Sequence, residues 1–497
     1  MASPNSQQTS SSSSTFSPPS SILIIGSGVY GLTTAWALTK REAFKQCRIT
    51  VVDRSDPVQL DVFPAPDAAS VDTSRIVRAD YADPAYAALC AEAQLLWRQQ
   101  ADPSDLGAQG RYNESGMVLV ADGPAPATAG DVSATLPAPP STATLDKSKL
   151  TGMDYARYSW ANVQALAASD PKLSEHIREL PDAAAIREAV GTGGTSGSWG
   201  YLNKLSGWTD AGKTMKWLYD QVQETTRVIF TAGTVTSLEH TGDTVTGARL
   251  SDGSVLTADL VIVAAGSWTE SLVDLEGQGV ATGQVLGYLD ITEEEQEKLG
   301  KMPVLLNLSS GLFIIPPSNR VLKIARHAYG YLNPTPLTAT SALPPSPSSK
   351  PVERSISQPL THLADSSLSI PPEGEEDLRR ALQEMIPLPE LRDRPFTKTR
   401  LCWYLDTPTA DFIIDYHPGW KGLFVATGDS GHAFKFMPVL GEKIVDCVSG
   451  NCPVEFKDKW SWKPRFNGGE PVITEDGSRG GKPGLVLADE LAKRTAT

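Results

Sequence analysis

Disulfide and metal frameworks are the first things this sequence lacks. The 497 residues include 5 cysteines, Cys47, Cys90, Cys402, Cys447 and Cys452. The set is odd and scattered, without a C-x-x-C pair, which excludes a disulfide scaffold or a zinc site and fits a reducing compartment. Basic charge is also short: Lys+Arg 44 against Asp+Glu 58 leaves a formal charge of -14. Such a field repels nucleic acid and anionic membrane surfaces, so neither is an expected partner. Long apolar runs are missing as well. The first, Ile22 to Ile25, is cut by Gly26, no later one reaches spanning length, and no basic n-region precedes it. Neither a signal peptide nor a membrane span is expected. With Lys493-Arg494-Thr495-Ala496-Thr497 in place of a Ser-Lys-Leu address, the expected location is the cytosol.

What is present reads as globular. Hydrophobic residues make up 40% and charged residues 21%, which rules out collagen-like, coiled-coil and wholly disordered classes. The length suggests about three domains, or two large interleaved ones. Met1 to Ser20 has no large apolar side chain except Phe16 and is expected to be a loose tail. Asp122 to Thr144 and Asn333 to Pro372 are rich in Pro, Ser, Thr or Ala and read as surface insertions or mobile loops.

Between these lie periodic segments. Ser21 to Ile25 and Arg48 to Val52 read as short buried strands joined by a helix over Gly31 to about Phe44, a βαβ unit. A helix is expected from Asp210, its N-cap, to Glu224. Thr226 to Thr231, Val245 to Leu250 and Val255 to Thr257 read as hairpin strands, followed by the apolar strand Leu260 to Ala264. Gly422 to Ala426 reads as a strand leading to a helix from about Lys435 to Cys447.

Gly26-Ser27-Gly28-Val29-Tyr30-Gly31 stands at the first strand–helix junction, and the next strand ends in Asp53-Arg54. Gly26 permits a tight turn, Gly28 lets backbone N–H groups approach a pyrophosphate, and Gly31 lets helix and strand pack closely, while Asp53 can accept both ribose hydroxyls. This dinucleotide fingerprint does not by itself choose between FAD and NAD. Two later features favour FAD: the strand ending in Ala264-Ala265-Gly266, and Leu423 to Thr427 delivering Gly428 and Asp429 to a helix start. The chain thus returns to the cofactor from distant segments, Val235 among them.

Four blocks extend the pattern: Ser74-Arg75-Ile76-Val77-Arg78-Ala79-Asp80-Tyr81, Val321-Leu322-Lys323-Ile324-Ala325-Arg326-His327, Arg400-Leu401-Cys402-Trp403, and Gly428-Asp429-Ser430-Gly431-His432-Ala433-Phe434-Lys435-Phe436. With Asp411 to Pro418 they resemble the FAD-dependent amine oxidases typified by monomeric sarcosine oxidase, pipecolate and saccharopine oxidases and fungal fructosyl amino acid oxidase, over most of residues 21 to 450. The resemblance implies that Cys402 bonds covalently to the flavin 8α-methyl carbon, where the alternative is an inert core cysteine. It implies that Lys323 lies near flavin N5 and promotes reaction with oxygen, against a plain surface lysine. Arg78 and Lys435 would bind a substrate carboxylate, with Ser74 and Arg75 near the flavin. Alternatively the two arginines pair with Asp72, Asp80 or Asp83, and Lys435 is solvated. Gly428, Asp429, Gly431, His432, Phe434 and Lys435 would edge the cofactor. His327 stands where fructosyl amine oxidases carry a sugar-gripping acid, and Arg75 where they tend to have lysine. Near neutral pH His327 could bind or desolvate a secondary amine, or it merely packs.

The expected fold is α/β: a Rossmann-like FAD-binding domain from residues 21–110, 205–285 and 400–450, interleaved with an antiparallel-sheet substrate domain from 111–204 and 286–399, then an extension over 451–497. The implied reaction takes a hydride equivalent from the α-carbon of a secondary or N-methylated amino acid to flavin N5, giving an imine for hydrolysis and hydrogen peroxide from oxygen. The low-complexity insertions point to a fungal specialised-metabolism paralogue. A fructosyl amino acid oxidase, a flavin dehydrogenase not using oxygen and a non-enzymatic flavin-binding protein are the alternatives. The partners are a small amine and oxygen, no metal is expected, and a monomer is favoured over an oligomer.

Overall fold

Short apolar runs without polar alternation become interior strands of a parallel sheet, where both faces are covered. In the computed structural model, which describes residues 16–56, 65–123, 150–168, 171–338, 342–349, 353–464 and 472–495, the strand Ser21–Ile25 sits between Arg48–Asp53 and Leu260–Val263. Val228–Ala232 and Leu423–Thr427 extend the sheet on either side in parallel, and Ile413–Tyr416 adds an antiparallel edge. The helix Val29–Lys40 begins two residues earlier than the sequence suggests, because Gly28 already acts as its N-cap. Crossovers put the ends of several strands beside that helix start, the usual place for a nucleotide in such a sheet.

A second sheet of ten strands is mixed, largely antiparallel with two parallel pairs, Val304–Asn307 with Met117–Ala121 and Tyr331–Leu332 with Leu485–Val486. At its centre the long strand Val280–Asp290 pairs with both Val321–Arg326 and Lys398–Asp406. Strand alternation gives these three a two-faced character. Val285, Leu322, Ile324, Leu401 and Trp403 point into one core, whereas Leu286, Tyr288, Ala325 and Cys402 cluster on the other face with Lys323 among them. That second face positions the site.

Several expectations change. Thr226 to Thr231, read as a hairpin strand, is Val228–Ala232 at the edge of the parallel sheet; Val228 and Phe230 pack onto the main core there, and a short alternating run cannot show which neighbour it will find. Lys398–Asp406, assigned to the FAD-binding part, pairs along Val280–Asp290 in the large sheet instead. Residues 16–20 are not loose: Phe16 lies 5.9 Å from the Phe44 ring, and Ser20 Oγ donates to Asp259. Within 333–372 the strands Pro334–Leu337 and Arg354–Ser357 form a hairpin, Leu343, Ile356 and Ile370 are buried, and Trp403 Nε1 donates to Leu360 O at 2.7 Å. Its few apolar side chains find partners in other elements, which composition cannot reveal. Most of 122–144 lies outside the described residues. Among the described residues no helix is long and apolar enough to cross a membrane.

Candidate active site

The glycine loop and the strand ends around it line a cleft of about 1340 Å³, its open mouth included. Gly26, Ser27, Gly28, Val29, Tyr30, Asp53, Arg54, Arg75, Val235, Ala265, Gly266, Asp429, Gly431 and Phe434 all face it. Gly26 has φ +106°, and a Cβ there would lie 2.4 Å from Ala264 O. Gly31 is off the cleft; a Cβ on it would meet Gly26 O at 1.8 Å, the close helix–strand approach that glycine permits. Asp53 lines the cleft and also bonds within the loop. Its Oδ2 accepts from the Ser27 N–H at 2.7 Å and its Oδ1 from Ser55, so the carboxylate first serves to brace the loop. Arg54 pairs with buried Asp67 and covers the Trp268 ring. Burial raises Asp429 to a pKa of about 6, against the backbone N–H groups of Leu405 and Gly431 that it accepts.

Beside the cleft lies a buried charge cluster. Asp72 accepts from Lys323 Nζ at 2.7 Å, from Arg75, and from Tyr288 Oη at 2.7 Å. Burial would raise the Asp72 carboxyl, but Lys323, Arg75 and Arg400 outweigh it and hold it well below the usual carboxylate range. Burial lowers Lys323 to about 8, with Asp72 opposing and Arg75 reinforcing the shift. Lys323 also donates to Ser74 O at 2.8 Å, so Ser74 contributes a carbonyl to this cluster and not a wall to the cleft. Cys402 is buried behind the cleft wall, 1% exposed, with Arg75 Nη2 3.5 Å from its Sγ. The thiol is therefore out of solvent, with a cation beside it.

A second, smaller chamber, about 450 Å³ with its open mouth included, is lined by Arg78, Tyr81, Tyr86, Tyr155, His327, Ser430, His432, Asp476 and Ser478 among others; Ser430 and His432 alternate along the chain with Asp429 and Gly431, which face the cleft. Arg78 and Lys435 both lie over the Tyr81 ring, at 4.8 and 5.2 Å. Neither forms an ion pair among the described residues, since Asp80 accepts from Asn203 and Ser206, and Asp83 pairs with Lys459. Arg78 Nη1 is buried without a hydrogen-bond partner there. Lys435 Nζ donates to Tyr81 Oη at 2.9 Å and His432 O at 3.1 Å, two of its three donors. Burial, then Arg78, lowers Lys435 to about 7. His432 thus lines this chamber and not the cofactor cleft, Lys435 lines neither and reaches the chamber wall only through Tyr81 Oη, and Gly428 packs against Thr407, also away from the cleft. Burial and Arg479 push His327 well below its usual 6.5, so the expectation of a histidine titrating near neutrality is replaced by a neutral ring.

Residues 21–447 match the family described as DAO, FAD dependent oxidoreductase. The chain belongs to that family. It is 33% identical to the amino acid oxidase imqH of Aspergillus flavus, across 86% of this chain and 93% of that protein. It is 27% identical to L-saccharopine oxidase of Schizosaccharomyces pombe, across 89% and 93%. A modified fructosyl peptide oxidase from Aspergillus nidulans has the same fold, with a TM-score of 0.74 at 24% identity over 95% of this chain and 99% of that one. The expectation of an FAD-dependent enzyme of the amine and amino acid oxidase class stands with the family, and so does the α/β fold.

FAD fits the residues present. The helix Val29–Lys40 has no side-chain cap and no acid in its first turn, leaving its N–H groups to an anion, and a side chain at Gly28 would meet nothing nearer than Ser70 Oγ at 4.0 Å. Reading the sequence missed Asp72, Tyr404, Asp406, Asp476 and Arg479. Asp72 stands three residues before Arg75 and was weighed only as a surface partner. The others lie on Lys398–Asp406 or beyond residue 447, where no local pattern marks them.

Proposed function

We propose that the protein oxidises a secondary or N-methylated amino acid, or a related carboxylate-bearing amine, with oxygen as electron acceptor. The six-stranded sheet would hold the cofactor and the face of the large sheet that carries Lys323 and Cys402 would cover it. The observation that carries the substrate reading is Arg78: a buried guanidinium with an unpartnered Nη1, beside a second cation, Lys435, that also lacks a carboxylate. An unmatched buried donor is costly, and a substrate carboxylate supplies what both groups lack.

FAD, when bound, supplies the acceptor for two electrons from the amine carbon; the glycine loop, Asp53, Arg54, Val235, Gly266 and Asp429 would hold it, with Cys402 as the covalent anchor. Arg78 and Lys435 bind the carboxylate and so fix where the α-carbon points. Arg78 and Lys435, both over the Tyr81 ring beside a neutral His327, oppose a further positive charge next to them, which favours the free-base form of an amine bound there over its ammonium. Lys323, held by Asp72 and Ser74 O, places a fixed ammonium where negative charge develops on dioxygen.

Anaerobic mixing with N-methyl amino acids and their decarboxylated counterparts tests this. The acids should bleach the flavin absorbance, the amines lacking a carboxylate should do so far more weakly, and air should restore the colour with release of peroxide. No bleaching by any member of the panel would overturn the reading.

A further inference from the structure

The second chamber has a feature that carboxylate binding and amine oxidation leave unused. Two of its lining carboxylates come from different places, and only one is neutralised: Asp83 pairs with Lys459 at 2.6 Å. Asp476, on the segment that follows residue 471, forms no ion pair among the described residues. Its Oδ1 accepts from the Ser478 N–H at 3.0 Å and from Ser478 Oγ at 2.6 Å. Among the described residues nothing donates to Oδ2. Both Ser478 bonds hold the carboxylate in one orientation, and Ser478 and Arg479 are themselves anchored: Arg479 by Asp406 and Ser430 O, Ser478 by contact with His327 Nε2. The same two-bond turn holds the exposed Asp102, Asp252 and Asp365, so what sets Asp476 apart is its place on the chamber wall with Oδ2 left over for a donor.

Asp476 lines the chamber and not the cofactor cleft, so it meets a part of the substrate away from the reacting carbon. We propose that Asp476 determines specificity by accepting a hydrogen bond from a donor group on the substrate's side chain, so that the enzyme acts on amino acid-derived amines whose side chain ends in a hydroxyl or an ammonium. This rests on the carboxylate reading of Arg78 and Lys435, Arg78 being on the wall of the same chamber. The rings of Tyr81, Tyr86 and Tyr155 on the walls suit a flat apolar body between the two ends.

Non-oxidisable acids test it with the flavin-loaded enzyme, by titration calorimetry. 3-(4-Hydroxyphenyl)propionate is compared with 3-phenylpropionate, and 5-aminopentanoate with pentanoate. The donor-bearing member of at least one pair should bind about tenfold more tightly, the scale of a hydrogen bond to a charged group. The phenol pair showing the preference identifies a hydroxyl as the donor; the aminopentanoate pair showing it identifies an ammonium. Asp476→Asn and Asp476→Ala should each reduce the preference towards unity while leaving the donor-free acids bound as before, and an unchanged flavin spectrum shows that the variants fold. Equal binding within both pairs, or a preference that survives both substitutions, overturns the role of Asp476 and leaves the carboxylate site standing. If none of the four acids binds, the carboxylate reading falls and this one with it.

Discussion

Arg479 Nη1 lies 3.1 Å from His327 Nδ1, across 152 residues of sequence. A guanidinium can only donate, so Nδ1 accepts and the ring proton resides on Nε2, directed at Ser478 Oγ 3.4 Å away. This contact decides the charge of His327: the same guanidinium that fixes the tautomer opposes a second ring proton. Arg479 in turn depends on Asp406, 2.5 Å away and equally buried.

Removing one member of that pair strands the other. Arg479→Met should destabilise the fold by about 3–5 kcal/mol, whereas Arg479→Met with Asp406→Asn should recover much of the loss. Urea unfolding monitored by tryptophan fluorescence measures both. A single-variant cost below about 1 kcal/mol would show that the pair is solvated in solution. His327 adds a pH dependence. Its folded pKa lies below the unfolded 6.5, so the unfolded chain binds more protons as pH falls through 6.5, and stability should fall with it.

Burial and Arg78 lower Lys435 to about 7 in the free protein, and a carboxylate bound as proposed would hold the proton on. Affinity for a carboxylate inhibitor should therefore weaken above about pH 7, by at most about tenfold per pH unit, with proton uptake on binding at pH 8. Calorimetry in buffers of different ionisation enthalpy reports the uptake. Lys435→Met should abolish both effects, and their persistence would assign the titration to another group.

Lys323→Met tests the oxygen role. Reoxidation of the reduced flavin by air should slow by about 10²–10³-fold, as for other preorganised charges at a reacting centre, while anaerobic reduction by substrate changes much less. Stopped-flow measurement of the two half-reactions separates them, and an unchanged oxygen rate would remove Lys323 from that step.

Cys402→Ala tests the covalent anchor. Acid precipitation of the parent protein should carry the yellow colour into the pellet, and the variant should leave it in the supernatant. Colour in the pellet from both would place the link at another residue.

The glycine-loop part of the nucleotide cradle was legible because it is local. Gly26, Gly28, Gly31 and Asp53 stand at fixed offsets along one βαβ unit, and the structure places Gly26, Gly28 and Asp53 on the cleft, with Gly31 packing the helix onto its strand. Arg78, Lys323 and Cys402 were legible through the blocks that carry them. Their surroundings were not. The alternatives weighed for Arg75 and Arg78 separate only in three dimensions: Arg75 does pair with Asp72, yet also lines the cleft, while Arg78 pairs with neither Asp80 nor Asp83.

By itself, then, the amino-acid order determined the dinucleotide loop, since glycine geometry and strand alternation act over a few residues, and its longer blocks carried the FAD-dependent family. Tertiary structure decided the protonation and partners of the side chains: Lys323 meets Ser74 O over 249 positions, and Asp476 and Arg479 arrive from beyond the family's own span. Desolvation and Coulomb interaction depend on distance in space, and distance along the chain does not measure that.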